Sequence, residues 1–61
     1  MVAELQIKCL EIENWTRSLT LRGIEKYDIV ARINEMYDPT TEEEMETYSE
    51  VIIYARLGVL N

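Results

Sequence analysis

The segment from residue 40 to residue 59 constrains the fold most, because it is a helix with apolar side chains on two sides. Its main stripe recurs at alternating steps of three and four residues, as the face of a helix does: Met45, Tyr48, Ile52, Ala55 and Val59. A second stripe on another side of the same helix comprises Ile53, Leu57 and Leu60. A helix that is apolar on two sides has to be covered on two sides. We therefore expect one covering element from this chain and another from a second copy or a partner protein.

The short length of the chain also favours a contact with a second chain. A chain of 61 residues forms one domain, residues 1–61, and a domain of this size buries only about 60% of the surface that its unfolded form exposes. Small domains are usually reinforced by disulfides, a metal or an oligomeric interface. Cys9 is the single cysteine and there is no histidine, which excludes an internal disulfide and disfavours a structural zinc site. We expect oligomerisation, as a homodimer or larger assembly, to complete the fold.

Residues 2–21 are compatible with two secondary structures. A helix would place one apolar face on Val2, Leu5, Cys9, Ile12, Thr16 and Leu19, and a second stripe on Ala3, Ile7, Leu10 and Leu21. A β-hairpin turning near Glu13 and Asn14 is the alternative, because Leu5, Ile7 and Cys9 alternate with polar residues. The segment is rich in good helix formers and has no Asn-Gly or Asp-Gly turn. We therefore favour the helix.

Two breaks divide the chain. Gly23 can close a helix in the left-handed conformation, and Asp38 precedes Pro39, which disfavours helical geometry at Asp38. The sequence thus predicts an all-α fold with helices at about 2–21, 24–37 and 41–59, packed as a three-helix unit. If the helix continues through Gly23, residues 2–37 form one helix and the fold is a helical hairpin. The expected apolar face of the middle helix comprises Ile29, Val30, Ile33, Met36 and Tyr37.

The last helix has a strong start signal. Thr41 with Glu44, or Thr40 with Glu43, has the spacing of a capping box. Asp38 could cap instead, with Pro39 at the first helical position. The run Glu42-Glu43-Glu44 also fits a helix N-terminus, where the macrodipole favours negative charge.

The sequence contains few of the residues and motifs that catalytic sites require. Histidine, the commonest general base, is missing, and Cys9 lies on an apolar stripe, as expected of a buried inert thiol. The two glycines, Gly23 and Gly58, cannot form a Gly-rich phosphate loop. The acidic residues from 38 to 46 do not match a calcium-binding loop. We expect a protein that is not an enzyme and has no catalytic, cofactor-binding or metal-binding residues.

The charge distribution limits the partners. The formal net charge is −6, and the six cationic residues are scattered singly, which disfavours nucleic acid and anionic membranes. The segments 24–37 and 41–59 have the outline of a helix-turn-helix. However, the part of the second helix that would enter the major groove begins with glutamates. DNA binding is therefore a distant third hypothesis. The lone thiol, together with the lack of a visible signal peptide and of a run long enough to span a bilayer, favours a cytoplasmic protein.

Two surfaces are candidates for protein contacts. The acidic candidate, which could meet a basic surface on another protein, comprises Glu42, Glu43, Glu46 and Glu50. The apolar candidate, which could mediate oligomer or partner contacts, comprises Trp15, Ile53, Tyr54, Leu57 and Leu60.

In size and acidic composition alone, the chain resembles small acidic accessory proteins of phages and mobile elements. Our first functional hypothesis is a small regulatory or inhibitory protein that acts by protein–protein binding. The alternative is a structural or assembly subunit that forms a homo-oligomeric helical bundle.

Overall fold

The computed structural model describes residues 4–61, which form three α-helices packed together. Their bounds are Glu4–Leu21 for α1, Lys26–Tyr37 for α2 and Glu42–Leu60 for α3. Residues 4–61 contain no strand. The prediction of an all-α three-helix unit is thus confirmed, and the alternatives of a β-hairpin and of one helix through Gly23 are wrong. The predicted positions of Val2 and Ala3 lie outside the described residues.

Helix α1 ends in the glycine motif that the sequence indicated. Gly23 has φ +85°, a conformation that costs glycine little because it has no Cβ. Its N–H donates to the Thr20 carbonyl at 3.0 Å, and the Ile24 N–H donates to the Leu19 carbonyl at 3.0 Å. This pair of hydrogen bonds defines a Schellman motif and satisfies two carbonyls at the end of α1. Ile24 also packs against the core that contains Leu19, so the turn is closed by an apolar contact as well.

Helix α3 begins with one of the three N-caps that the sequence predicts. The Thr41 side chain accepts a hydrogen bond from the Glu44 N–H at 3.1 Å, which satisfies one of the free donors of the first turn. The capping interaction predicted for Thr41 and Glu44 is therefore present on the threonine side. Asp38 instead ends α2 in the left-handed conformation, with φ 44°, so its alternative role as the cap of α3 was wrong.

The core lies where the faces of the three helices meet. Its buried apolar side chains are Ile12, Leu19, Ile29, Ile33, Tyr48 and Ile52. Ile12, Thr16 and Leu19 of α1 are buried together, because the helical period brings them to one face, whereas a strand would have placed Leu5 and Ile7 there. Helix α1 packs most extensively against α3, and the shorter α2 contacts both.

A polar contact ties the end of α2 to the middle of α1. The Tyr37 hydroxyl donates to Oε2 of Glu11 at 2.9 Å. The Tyr37 ring packs edge-to-face against Tyr48, with ring centroids 6.3 Å apart and planes at 66°. Tyr37 thus joins all three helices, with its ring against α3 and its hydroxyl on α1.

The predicted core faces are only partly buried. In α3, Tyr48, Ile52 and Ala55 are buried, Val59 is half-buried, and Met45 is 47% exposed. Met36, predicted on the apolar face of α2, is 49% exposed. Both methionines lie beyond the three-helix contact, because a unit this small has only a narrow core.

Candidate interaction surface

The outer face of α3, opposite the core, is the most distinctive surface of the molecule. We define it by a row of side chains that recur every three or four residues and are all exposed: Glu42, Glu46, Glu50, Ile53, Leu57 and Leu60. The row spans about 27 Å, since a helix rises 1.5 Å per residue. Its first half is acidic and its second half is apolar. Three residues of the predicted acidic site and three of the predicted apolar site therefore lie on one face of one helix, end to end. Glu43 and Tyr54 lie on the same helix beside this row.

Stabilisation of the helix N-terminus explains only some of the glutamates in the acidic half of the row. Glu42, Glu43 and Glu44 occupy the first turn of α3, where the macrodipole stabilises carboxylates. Glu46 and Glu50 lie beyond that turn and remain exposed, so capping does not account for them. The ion pair between Arg17 and Glu13 is the one found within residues 4–61. No cation of the described chain is therefore paired with the outer carboxylates of α3.

The apolar half leaves large side chains in solvent. Ile53, Leu57 and Leu60 are 38%, 46% and 58% exposed, and the neighbouring Tyr54 is 72% exposed. Single exposed apolar side chains are normal on a protein surface, whereas a contiguous group marks an interaction site. Within residues 4–61 nothing covers this second stripe of α3.

A groove of about 320 Å³ runs between α1 and α3 beside this face. Glu13 and Arg17 of α1 line one wall, and Glu50, Tyr54 and Gly58 of α3 line the other. Each wall carries a carboxylate, and the groove's cation, Arg17, pairs with Glu13 on the α1 wall. Of the row on the outer face of α3, Glu50 alone lines this groove.

Helix α1 has an exposed stripe of its own. Its members recur at steps of three and four residues and are all exposed: Ile7, Leu10, Asn14, Arg17 and Leu21. Arg17 of this stripe and Glu50 of the α3 row line the same groove. One member of each stripe therefore reaches the groove, whereas none of the apolar members of either stripe lines it. Sequence reasoning had identified Ile7, Leu10 and Leu21 as a second stripe but had not included them among the contact residues.

Trp15 lies in a different place from the rest of the predicted apolar site. It is 46% exposed and lines a second groove, of about 270 Å³, together with Leu19, Arg32, Glu35 and Met36. The two grooves share no residue. The structure therefore brings Ile53, Tyr54, Leu57 and Leu60 together and separates Trp15 from them. The groove around Trp15 was missed, because it depends on how α1 packs against α2.

Other classes of site find little support in the described part of the chain. Cys9 is half-buried and free, and no group of three or more Cys, Asp or Glu side chains within residues 4–61 is placed to hold a metal ion. None of the helices in this range combines the length and apolar character needed to cross a membrane.

Comparison with known proteins does not assign the chain to a family. No protein-family model, no curated protein and no solved structure matches the chain.

Proposed function

We propose that the chain is a small regulatory or inhibitory protein that acts by binding another protein through the acidic half of the outer face of α3. The observation that carries this proposal is the row Glu42, Glu46 and Glu50, which is exposed and not neutralised by any cation of the described chain. Such a row attracts a basic surface and repels an acidic one, which gives specificity and a fast approach. The partner is therefore a protein with a basic surface patch, and the role is binding rather than catalysis.

The experiment reverses charge where helix stability is least affected. Glu42 and Glu43 lie in the first turn of α3, so changing them to lysine would weaken the helix start as well as the surface. The double variant Glu46→Lys/Glu50→Lys changes the outer face alone. The triple variant Ala31→Lys/Asn34→Lys/Glu35→Lys is the matched control, because it makes the same change in net charge at exposed positions beyond the first turn of α2.

A fluorescently labelled, lysine-rich helical peptide of about 18 residues, which matches the length of the row, serves as the defined probe. Fluorescence anisotropy should show binding that weakens as salt is added, since exposed charges are screened. We expect Glu46→Lys/Glu50→Lys to raise Kd at least tenfold and the control to raise it less than threefold. Equal losses in the two variants would show that only net charge matters and would overturn the proposal.

A second candidate function is a structural or assembly subunit. It is supported by the apolar half of the outer face, which is exposed although it consists of large aliphatic side chains. The two candidates use different halves of the same face, so partner binding and self-association are separately measurable.

A further inference from the structure

The groove between α1 and α3 holds one charge that no other residue of the groove balances. Its charged side chains are Glu13, Arg17 and Glu50. Arg17 pairs with Glu13 one turn away on the same helix, so the cation of the groove is already neutralised. Within residues 4–61, Glu50 forms no ion pair. The groove therefore keeps one negative charge, and its source is the Glu50 carboxylate on the α3 wall.

The α3 wall combines this carboxylate with an apolar strip and an aromatic ring. Val51 is half-buried, Ala55 is buried, and Gly58 continues the strip without a side chain. Tyr54 is 72% exposed and lies four residues after Glu50, so the two side chains are neighbours on the helix surface. The volume of about 320 Å³ lies at the lower end of the range for ligand pockets. The occupant is therefore one long side chain and not a whole helix.

We propose that this groove takes one arginine side chain of the basic partner protein. The aliphatic stem of the arginine lies on Val51 and Ala55, and its guanidinium donates to the Glu50 carboxylate beside the Tyr54 ring. This inference rests on the proposed function, because it names the side chain that the outer face of α3 recognises. Glu50 belongs both to the acidic row and to the groove, so it connects the two contacts.

Arginine suits this combination of groups better than lysine does. A planar guanidinium hydrogen-bonds a carboxylate through two N–H groups and stacks on an aromatic face, whereas an ammonium is a strongly hydrated point charge. An acidic side chain would be repelled by the unpaired Glu50 carboxylate. The second groove lacks such an unbalanced charge, since both Arg32 and Glu35 line it.

The test fills the groove without changing its charge. Gly58→Leu places a bulky side chain on the groove wall. Apart from the adjoining backbone, a Cβ at this position would meet no atom within 4 Å, and leucine is a better helix former than glycine, so we expect the variant to fold. Asn34→Leu is the matched control, because it adds the same side chain at an exposed position of α2 that lines neither groove. Far-UV circular dichroism checks the fold of both variants.

Two labelled peptides of equal net charge provide the readout. One is the lysine-rich helical probe of the charge-reversal experiment, and the other carries arginine in place of its central lysine. In the wild type and in Asn34→Leu, fluorescence anisotropy should show that the arginine peptide binds at least fivefold more tightly. In Gly58→Leu the ratio of the two Kd values should fall below twofold. Equal Kd values in the wild type, or a ratio that persists in Gly58→Leu, would overturn the proposal.

The contribution of Glu50 is measured by removing one charge at a time. Glu50→Gln keeps the size of the side chain and should reduce the preference for the arginine peptide below twofold. Glu46→Gln removes the same charge from the same row but outside the groove. It should weaken the binding of both peptides and leave the preference at fivefold or more. Loss of the preference in both variants would mean that the row selects arginine and that the groove does not.

The proposed function and this inference fail in different ways. Salt-dependent binding of both peptides without a preference for arginine would retain the acidic face as the partner site and overturn the groove alone. If neither peptide binds the wild type, both proposals are wrong.

Discussion

At the scale of single residues, the core formed within residues 4–61 contains two buried hydroxyls without a hydrogen-bond partner, those of Thr16 and Tyr48. Thr16 is fully buried among apolar neighbours, and its hydroxyl has no hydrogen-bond partner. A buried hydroxyl without a partner costs about 1–3 kcal/mol. The threonine nevertheless occupies the core face of α1, because its size and the helical spacing suit that position.

Replacing Thr16 by valine should therefore stabilise the protein. Thr16→Val keeps the shape of the side chain and removes the unpaired hydroxyl, and we expect the free energy of unfolding to rise by about 1 kcal/mol. Urea unfolding at fixed protein concentration measures the change. Thr20→Val is the control, because the Thr20 hydroxyl donates to the Thr16 carbonyl at 2.7 Å; this variant should be no more stable than the wild type. A Thr16→Val protein less stable than the wild type would show that the hydroxyl is satisfied.

At the scale of secondary-structure elements, the two glycines have opposite roles. Gly23 terminates α1 with a positive φ, whereas Gly58 lies within the last turns of α3. Apart from the adjoining backbone, a Cβ added at either residue would meet no atom within 4 Å. The effect of adding a methyl group is therefore decided by backbone conformation and not by space.

The alanine variants should accordingly change stability in opposite directions. Gly23→Ala forces an L-residue into a left-handed conformation and should lower the free energy of unfolding by about 1–2 kcal/mol. Gly58→Ala replaces a poor helix former by the best one and should raise it by about 0.5–1 kcal/mol. Thermal unfolding monitored by circular dichroism compares the two. Similar shifts in the same direction would contradict the assignment of Gly23 as the end of α1.

At the scale of the whole molecule, a titratable contact links the helices. The Tyr37 hydroxyl donates to Glu11 across the α1–α2 boundary. Burial and the neighbouring Glu11 carboxylate disfavour the phenolate and raise the pKa of Tyr37 from 10.0 to about 12. The folded protein therefore keeps a proton that the unfolded chain loses at lower pH.

This link predicts how stability depends on alkaline pH. The contribution of Tyr37 is fully present below pH 10, because both states are then protonated, and it is lost as pH rises towards 12. Tyr37→Phe should cost about 1 kcal/mol near neutral pH through the lost hydrogen bond, and its free energy of unfolding should fall less steeply above pH 10. Urea unfolding across this pH range gives both slopes. Tyr27→Phe, at an exposed position, should have the slope of the wild type, and an unchanged slope in Tyr37→Phe would contradict the link.

Much of the fold was predictable because it depends on local chemistry. The helical period, Gly23 at the end of α1 and Thr41 at the start of α3 each act within one or two turns. Hence the sequence alone favoured the all-α class, indicated the breaks at Gly23 and at Asp38-Pro39, and identified most of the buried faces of α2 and α3. The acidic and apolar halves of the outer face of α3 were also recognisable, because their spacing is a property of one helix.

The contacts between helices, and the burial that results from them, depend on the tertiary structure. It selected Ile12, Thr16 and Leu19 as the buried face of α1, placed Tyr37 against Glu11, and separated Trp15 from the outer face of α3. It also left Met36 and Met45 exposed, since three short helices enclose only a narrow core. These outcomes depend on distances between residues far apart in the chain, and periodicity within one helix carries no information about them.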